Sequence, residues 1–182
     1  MSADANTGFT AQIQRAGSRR HRIAVIDGPN MSNLGARSKK VYGKIGSLDE
    51  LKAYVAGYGA QLGVDVESFS SNHQGDILEF IHASAARVDG YIINPAGATT
   101  IGEGIRHALE DSGRPVMEVH FANIAASAGG ARGLGGGSIQ SSFTHTATGM
   151  CMGMRQYSYI AALTAMVFGL DDDGFLGQNQ ER

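Results

Sequence analysis

Arg37 and Tyr42 lie five residues apart in a segment that follows the short apolar stretch 23–26. A phenol by itself is a poor base at neutral pH, because it loses its proton only near pH ~10. A guanidinium close to the phenolic oxygen favours the deprotonated form and could make it a usable base. The pair therefore predicts carbon-acid chemistry, in which a tyrosinate removes a proton beside a carbonyl. The alternative is a surface tyrosine in a long loop.

His120 is the second candidate, because imidazole titrates near neutral pH and can act as a general acid. Glu118 lies two residues earlier on the same face of a predicted strand and could orient the ring. The alternative is a histidine that bonds backbone groups at a strand end. The roles of Asn94 and Asn30 also have two interpretations, since each is either a turn residue or an amide donor that faces a ligand.

Composition narrows the class of protein. The chain has 182 residues, 42% of them hydrophobic, and a net charge of −2, which fits one soluble domain without a nucleic-acid surface. Its single cysteine, Cys151, fits a reducing cytoplasm. No stretch approaches the ~20 apolar residues of a membrane span, so we expect no membrane contact. The histidines lack metal-ligand spacing, so we expect no metal.

Short apolar strands alternate with helices along the chain, which predicts an α/β fold with a parallel sheet covered on both faces. Ser47 and Glu50 form a capping box at the start of the first long helix. We expect one domain at 21–170, a disordered N-terminal tail at 1–20 and a C-terminal tail at 171–182. The predicted strands are 23–26, 64–69, 91–93, 116–119 and 148–152, and the predicted helices are 47–62, 75–86, 101–109 and 157–168.

Polar clusters follow the strands at 27–42, 71–75, 94–100 and 120–123. In a parallel sheet of this kind, ligands bind beyond the carboxyl ends of the strands. The four loops should therefore meet at one cleft. The glycine-rich stretch 125–137 lacks the Lys-Ser/Thr of a nucleotide P-loop, and a flexible lid is the better interpretation.

These motifs resemble those of the type II 3-dehydroquinate dehydratases. The similarity spans roughly residues 22–170 and includes the strand that opens it. The stretches that carry it are Gly28-Pro29-Asn30, Leu34-Gly35, Arg37, Tyr42-Gly43, Ser71 to Gly75, Ile92 to Pro95, Glu118-Val119-His120, Asn123-Ile124, Gly149, Gly153 and Tyr159.

The resemblance implies a flavodoxin-like three-layer sandwich with a five-stranded parallel sheet, trimers assembled into a dodecamer, and no cofactor. It also implies an anti elimination of water from 3-dehydroquinate in the cytoplasm, in the shikimate pathway or in quinate catabolism. Tyr42, activated by Arg37, would take the proton alpha to the ketone. Asn30 would hold a water that stabilises the enolate. His120 would protonate the departing hydroxyl.

The same resemblance gives roles in substrate binding. Asn94 and the backbone amides of Phe121 and Ala122 would hold the substrate carboxylate. Three other positions depart from the family pattern, and all three would contact the ring hydroxyls. The family has His, Asp and Arg where this chain has Thr100, His107 and Ser138.

The departures leave several functions open. Sites that hydrogen-bond a substrate hydroxyl discriminate strongly, so losing three partners suggests a different small cyclic oxo acid or a weaker dehydroquinate enzyme. By this alignment, an insertion of about seven small, glycine-rich residues stands ahead of the Ser138 segment, and Arg132 could substitute for the missing guanidinium. The alternatives are an isomerase or hydrolase with the same base and acid, and a non-catalytic small-molecule binding protein.

Overall fold

Five parallel strands form the centre of the molecule in a computed structural model that describes residues 14–126 and 140–177. Their order is β2-β1-β3-β4-β5, which is the flavodoxin-like arrangement. The sequence prediction of fold class is confirmed. The strands are β1 (Arg22–Asp27), β2 (Asp65–Ser70), β3 (Gly90–Asn94), β4 (Val116–His120) and β5 (Gly149–Met152).

Helices cover both faces of this sheet, as the continuous apolar strands predicted. Alternate residues of β1 show the division: Ile23 and Val25 belong to one buried cluster, and Ala24 and Ile26 to the other. The helices are α1 (Lys39–Tyr42), α2 (Leu48–Gln61), α3 (Gln74–Ser84), α4 (Glu103–Asp111) and α5 (Tyr157–Asp171). Helices α2 and α5 pack on the first face, and α3 and α4 on the second.

The segment between β1 and α2 is more ordered than the loop that the sequence predicted. It contains a 3-10 helix at Met31–Ala36 and then the single turn of α1. Helix α2 begins where the capping residues indicated, because the Ser47 hydroxyl accepts a hydrogen bond from the Glu50 amide at 3.0 Å. The Glu50 carboxylate accepts from the Gly46 amide at 2.6 Å, which fastens the end of this segment.

The chain before β1 is attached to the end of α5. Arg15 donates two hydrogen bonds of 2.8 Å to the Asp171 carboxylate, and the His21 ring lies 2.8 Å from the same carboxylate. Leu176 packs against the core beyond α5. The domain limits at 21 and 170 stay predictions, and contacts of the domain extend past both of them. Residues 1–13, 127–139 and 178–182 lie outside the described part of the chain.

Candidate active site

Arg37 and Tyr42 meet within the segment that follows β1. The Arg37 guanidinium carbon lies 3.7 Å from the centre of the Tyr42 ring, and its Nη2 donates to the phenolic oxygen. Tyr42 is almost completely buried, with 8% of the residue's surface exposed. The 3-10 helix and α1 turn the backbone so that residues five apart face each other. A positive charge thus stands beside the oxygen that would carry the negative charge of a tyrosinate.

A narrow cleft joins this pair to the ends of β3 and β4. Its enclosed volume is about 20 Å³, enough for a single water molecule. A six-membered ring is larger than this space, so the cleft must widen to admit one. The residues that line the cleft are Met31, Arg37, Tyr42, Asn94, Ala96, His120, Phe121, Ala122 and Ile124. The sequence prediction had named six of them as site residues.

His120, which lines the same cleft as Tyr42, forms a buried pair with Glu118. The His120 Nε2 lies 2.6 Å from a Glu118 carboxylate oxygen, and the Thr144 hydroxyl donates to the other oxygen at 2.8 Å. Burial raises the pKa of Glu118, but hydrogen bonds from His120, Ser141 and Thr144 outweigh it, and the pKa ends below its ordinary value. Because an ionised carboxylate only accepts, Nε2 carries a proton and Nδ1 is left for another partner.

Asn94 is held by a buried network that includes two residues outside the cleft lining. Its side-chain oxygen accepts from the Ala96 amide at 3.1 Å, and its Nδ2 donates to the Tyr159 hydroxyl at 2.7 Å. The Tyr159 hydroxyl in turn donates to the Asp27 carboxylate at 2.5 Å. Asp27, Asn94 and Tyr159 are each at most 4% exposed, so this network is screened from solvent.

Burial is the main influence on the ionisation of this network. It raises the pKa of Asp27 from 3.8 to about 6, against the opposing effects of the Tyr159 hydrogen bond and the Lys52 charge. It also raises the pKa of Tyr159 well above the ordinary value of a phenol, with a further increase from the Asp27 charge. Tyr159 therefore stays neutral and acts as a hydrogen-bond relay.

Sequence reasoning did not single out Asp27 or Tyr159 as site residues. A weak signal existed for Asp27, since it is an acidic residue at the end of a continuous apolar strand. Tyr159 lies in an apolar helix and matched the family motif, but nothing in its position along the chain connects it with Asp27.

Several predicted site residues lie apart from the cleft. Asn30 is exposed and has a left-handed backbone with φ of 74°. Its backbone N–H donates to the side-chain oxygen of Asn72 at 2.8 Å. Thr100 and His107 are exposed and do not line the cleft. The His107 ring lies 2.6 Å from the Arg106 guanidinium on α4. The roles of these residues stay predictions.

Other sequence predictions fall outside the described residues. They are Ser138, Arg132 and nearly all of the glycine-rich stretch 125–137 that was interpreted as a lid. In the described ranges 14–126 and 140–177, no cluster of three acidic, histidine or cysteine side chains could hold a metal ion. No helix in these ranges is both long and apolar enough to span a bilayer.

Comparison with known proteins identifies the class. Residues 21–167 match the family described as dehydroquinase class II, and the chain belongs to this family. It is 36% identical over 157 residues to the 3-dehydroquinate dehydratase of Caldicellulosiruptor bescii, covering 82% of this chain and 99% of that protein. It is 36% identical over 141 residues to catabolic 3-dehydroquinase 1 of Aspergillus terreus, covering 78% and 88%.

A solved structure agrees with this membership. The type II dehydroquinase from Propionibacterium acnes is 30% identical in sequence and superimposes with a TM-score of 0.72, over 83% of this chain and 99% of that one. The protein is therefore a dehydroquinase-like enzyme of the carbon–oxygen lyase class, and its resemblance to type II dehydroquinases is confirmed.

Proposed function

We propose that this enzyme eliminates water from 3-dehydroquinate, or from a closely related cyclic oxo acid, through a tyrosinate base and an enolate intermediate. The observation that carries the proposal is the Arg37–Tyr42 pair, which lines one narrow cleft together with His120. The names of the curated relatives support the substrate.

The first step is proton removal beside the ketone. The Tyr42 phenolate takes the proton, and the adjacent Arg37 charge stabilises the phenolate before the substrate binds. Electrons from the broken C–H bond move onto the ketone oxygen and form the enolate. A water held by Asn30 would stabilise that oxygen, as the family resemblance implies. Asn30 lies outside the cleft lining, so this role would require it to move towards the substrate, as closing loops do in other enzymes.

In the second step the enolate returns to the ketone, its electrons form the new C=C bond, and the C–O bond to the hydroxyl group breaks. His120 protonates the departing oxygen through Nδ1, because its Nε2 is bonded to Glu118. The ionised Glu118 stabilises the imidazolium that gives up this proton. Two side chains on separate elements thus act as base and acid. The substrate carboxylate would be held by Asn94 and by the backbone amides of Phe121 and Ala122.

The ring hydroxyls of dehydroquinate have fewer partners here than the family pattern provides. Thr100 and His107 are exposed in the single chain, and Ser138 is a shorter side chain than the family arginine. This observation supports a second candidate, in which the base and acid act on another small cyclic oxo acid.

We also propose self-association into trimers and dodecamers, which would place α4 of one subunit near the cleft of its neighbour.

The substrate is tested by incubating the purified protein with 3-dehydroquinate and following the absorbance of the enone product. We expect turnover in the wild type and a loss of about 10³-fold in kcat for Tyr42→Phe, within the ~10²–10⁴ range of acid–base catalysis. Tyr54→Phe is the matched control, because Tyr54 is 40% exposed and lies outside the cleft. No absorbance at high enzyme concentration would exclude dehydroquinate itself.

Solvent deuterium exchange separates the alternatives. Incorporation of deuterium into other oxo acids without dehydration would indicate an isomerase or hydrolase with the same base. No exchange with any acid tested, together with unchanged ligand affinity in Tyr42→Phe, would favour a non-catalytic binding protein.

Dehydroquinate turnover would be compatible with two metabolic pathways, aromatic amino-acid synthesis and quinate breakdown. The single Cys151 fits a reducing compartment, and we propose the cytoplasm.

A further inference from the structure

Each hydrogen bond in the buried network around Asn94 has a defined donor and acceptor. The Ala96 amide only donates, so the Asn94 atom 3.1 Å away is the side-chain oxygen. The other end of the amide is therefore the NH₂ group, which donates to the Tyr159 oxygen. Tyr159 has one hydrogen of its own, and it goes to Asp27. The orientation of the Asn94 amide thus depends on a hydrogen-bond acceptor at Asp27.

We propose that Asp27 and Tyr159 are positioning residues that lock the Asn94 amide with an N–H available to the substrate carboxylate. The inference rests on the proposed function, in which Asn94 binds that carboxylate. Neither Asp27 nor Tyr159 lines the cleft, so both act through Asn94.

The second N–H of Asn94 is suited to this role. Its current partner is the Met31 sulfur at 3.3 Å, a weak acceptor that lines the same cleft. A substrate oxygen can replace the sulfur at little cost in free energy. The first N–H stays with Tyr159, which prevents the amide from rotating.

The charge on Asp27 determines how firmly the network is held. Hydrogen bonds to an ionised acceptor are roughly twice as strong as those between neutral groups. The titratable or charged groups that act on Asp27 are Tyr159 from α5 and Lys52 from α2. Its register neighbours on β2 and β3, Ser70 and Asn94, carry no charge. With the pKa of Asp27 at about 6, the ionised form dominates at neutral pH and is lost below it.

Tyr159→Phe removes the relay and keeps the shape of the ring. We expect KM for 3-dehydroquinate to rise about tenfold, because both hydrogen bonds of the Tyr159 hydroxyl are lost and the Asn94 N–H that it accepted is left unpaired. The value of kcat should change less than about threefold, since the base and acid are untouched. Tyr58→Phe is the matched control, because it also removes a hydroxyl bonded to α5, at 3.0 Å from Thr164, but away from Asn94. An unchanged KM in folded Tyr159→Phe would overturn the proposal.

Asp27→Asn tests the charge separately from the shape. Its amide oxygen still accepts from Tyr159, so binding should survive with KM raised about fivefold at pH 8. In the wild type, KM should rise by a similar factor as the pH falls through about 6, and this step should be absent from the variant. A step of equal size in both proteins would contradict a role for Asp27.

A measurement without substrate separates this inference from the proposed function. The side-chain ¹⁵NH₂ signals of Asn94 should shift as the wild type is titrated through pH ~6, and should not shift in Asp27→Asn. In Tyr159→Phe the pKa of Asp27, followed by ¹³C NMR, should rise, because the Tyr159 hydrogen bond lowers it. If dehydroquinate is not turned over, the proposed substrate fails while these signals still decide the positioning role. Asn94 signals that do not change during the pH titration of the wild type would refute the positioning role of Asp27.

Discussion

Asp27→Asn should make the folded protein more stable, whereas Asp171→Asn should make it less stable. The side chains of both aspartates are almost fully buried, but their environments differ. Burial raises the pKa of Asp27 to about 6. Hydrogen bonds from Arg15, the larger contribution, and from His21 lower the pKa of Asp171 to about 2, against the opposing effect of burial. The same substitution therefore removes an unfavourable charge at one site and a favourable charge at the other.

The magnitudes follow from the linkage between ionisation and folding. Each pKa unit corresponds to about 1.4 kcal/mol. Raising the pKa of Asp27 from 3.8 to about 6 lowers the free energy of unfolding by about 3 kcal/mol above pH 6. Stability from the neutral form is therefore present at low pH and lost as the pH rises through this window. Lowering the pKa of Asp171 from 3.8 to about 2 adds up to about 2 kcal/mol above pH 4, which is lost as the pH falls.

The assay is thermal unfolding of wild type and both variants at one protein concentration, at pH 8 and at pH 5. For a chain of this length, 1 kcal/mol corresponds to roughly 2–4 °C in Tm. Asp27→Asn should gain up to about 10 °C at pH 8, and about half of that gain at pH 5. Asp171→Asn should lose several degrees at both values. A loss of Tm in Asp27→Asn at pH 8, or a gain that grows on acidification, would refute the reasoning.

Three further substitutions test the local contacts around the cleft and its supporting loop. Glu118→Gln removes the charge beside His120 and should lower kcat about 10²-fold while KM changes little. An unchanged kcat would contradict the proposal that Glu118 supports His120 as the acid. Gly28→Ala would place a methyl group 2.4 Å from the Pro95 carbonyl oxygen, so urea unfolding should show a loss of about 1–3 kcal/mol, and a neutral result would mean that the two loops can separate. Ser47→Ala removes the cap of α2 and should lower the free energy of unfolding by about 1 kcal/mol, whereas Ser47→Asn should restore most of it.

Local signals carried most of the architecture. The apolar runs in the strands and the capping of α2 at Ser47 depend on residues close in the chain, and the structure has these elements within a few residues of the prediction. The Arg37–Tyr42 contact could also be predicted from the sequence, because side chains five residues apart in a loop can contact each other. The 3-10 helix and α1 were missed, because short turns among polar residues lack a periodic apolar pattern.

The sequence by itself determined the fold class, the family resemblance and the residue types that could act as base and acid. Tertiary structure decided which of them share a cleft, since Asn30, Thr100 and His107 lie outside it while Asn94 and His120 line it. Only the folded chain brings Tyr159 to Asp27 across 132 positions. Periodicity shows which face of an element is buried, but partners across the core depend on strand order and helix packing, which no local pattern encodes.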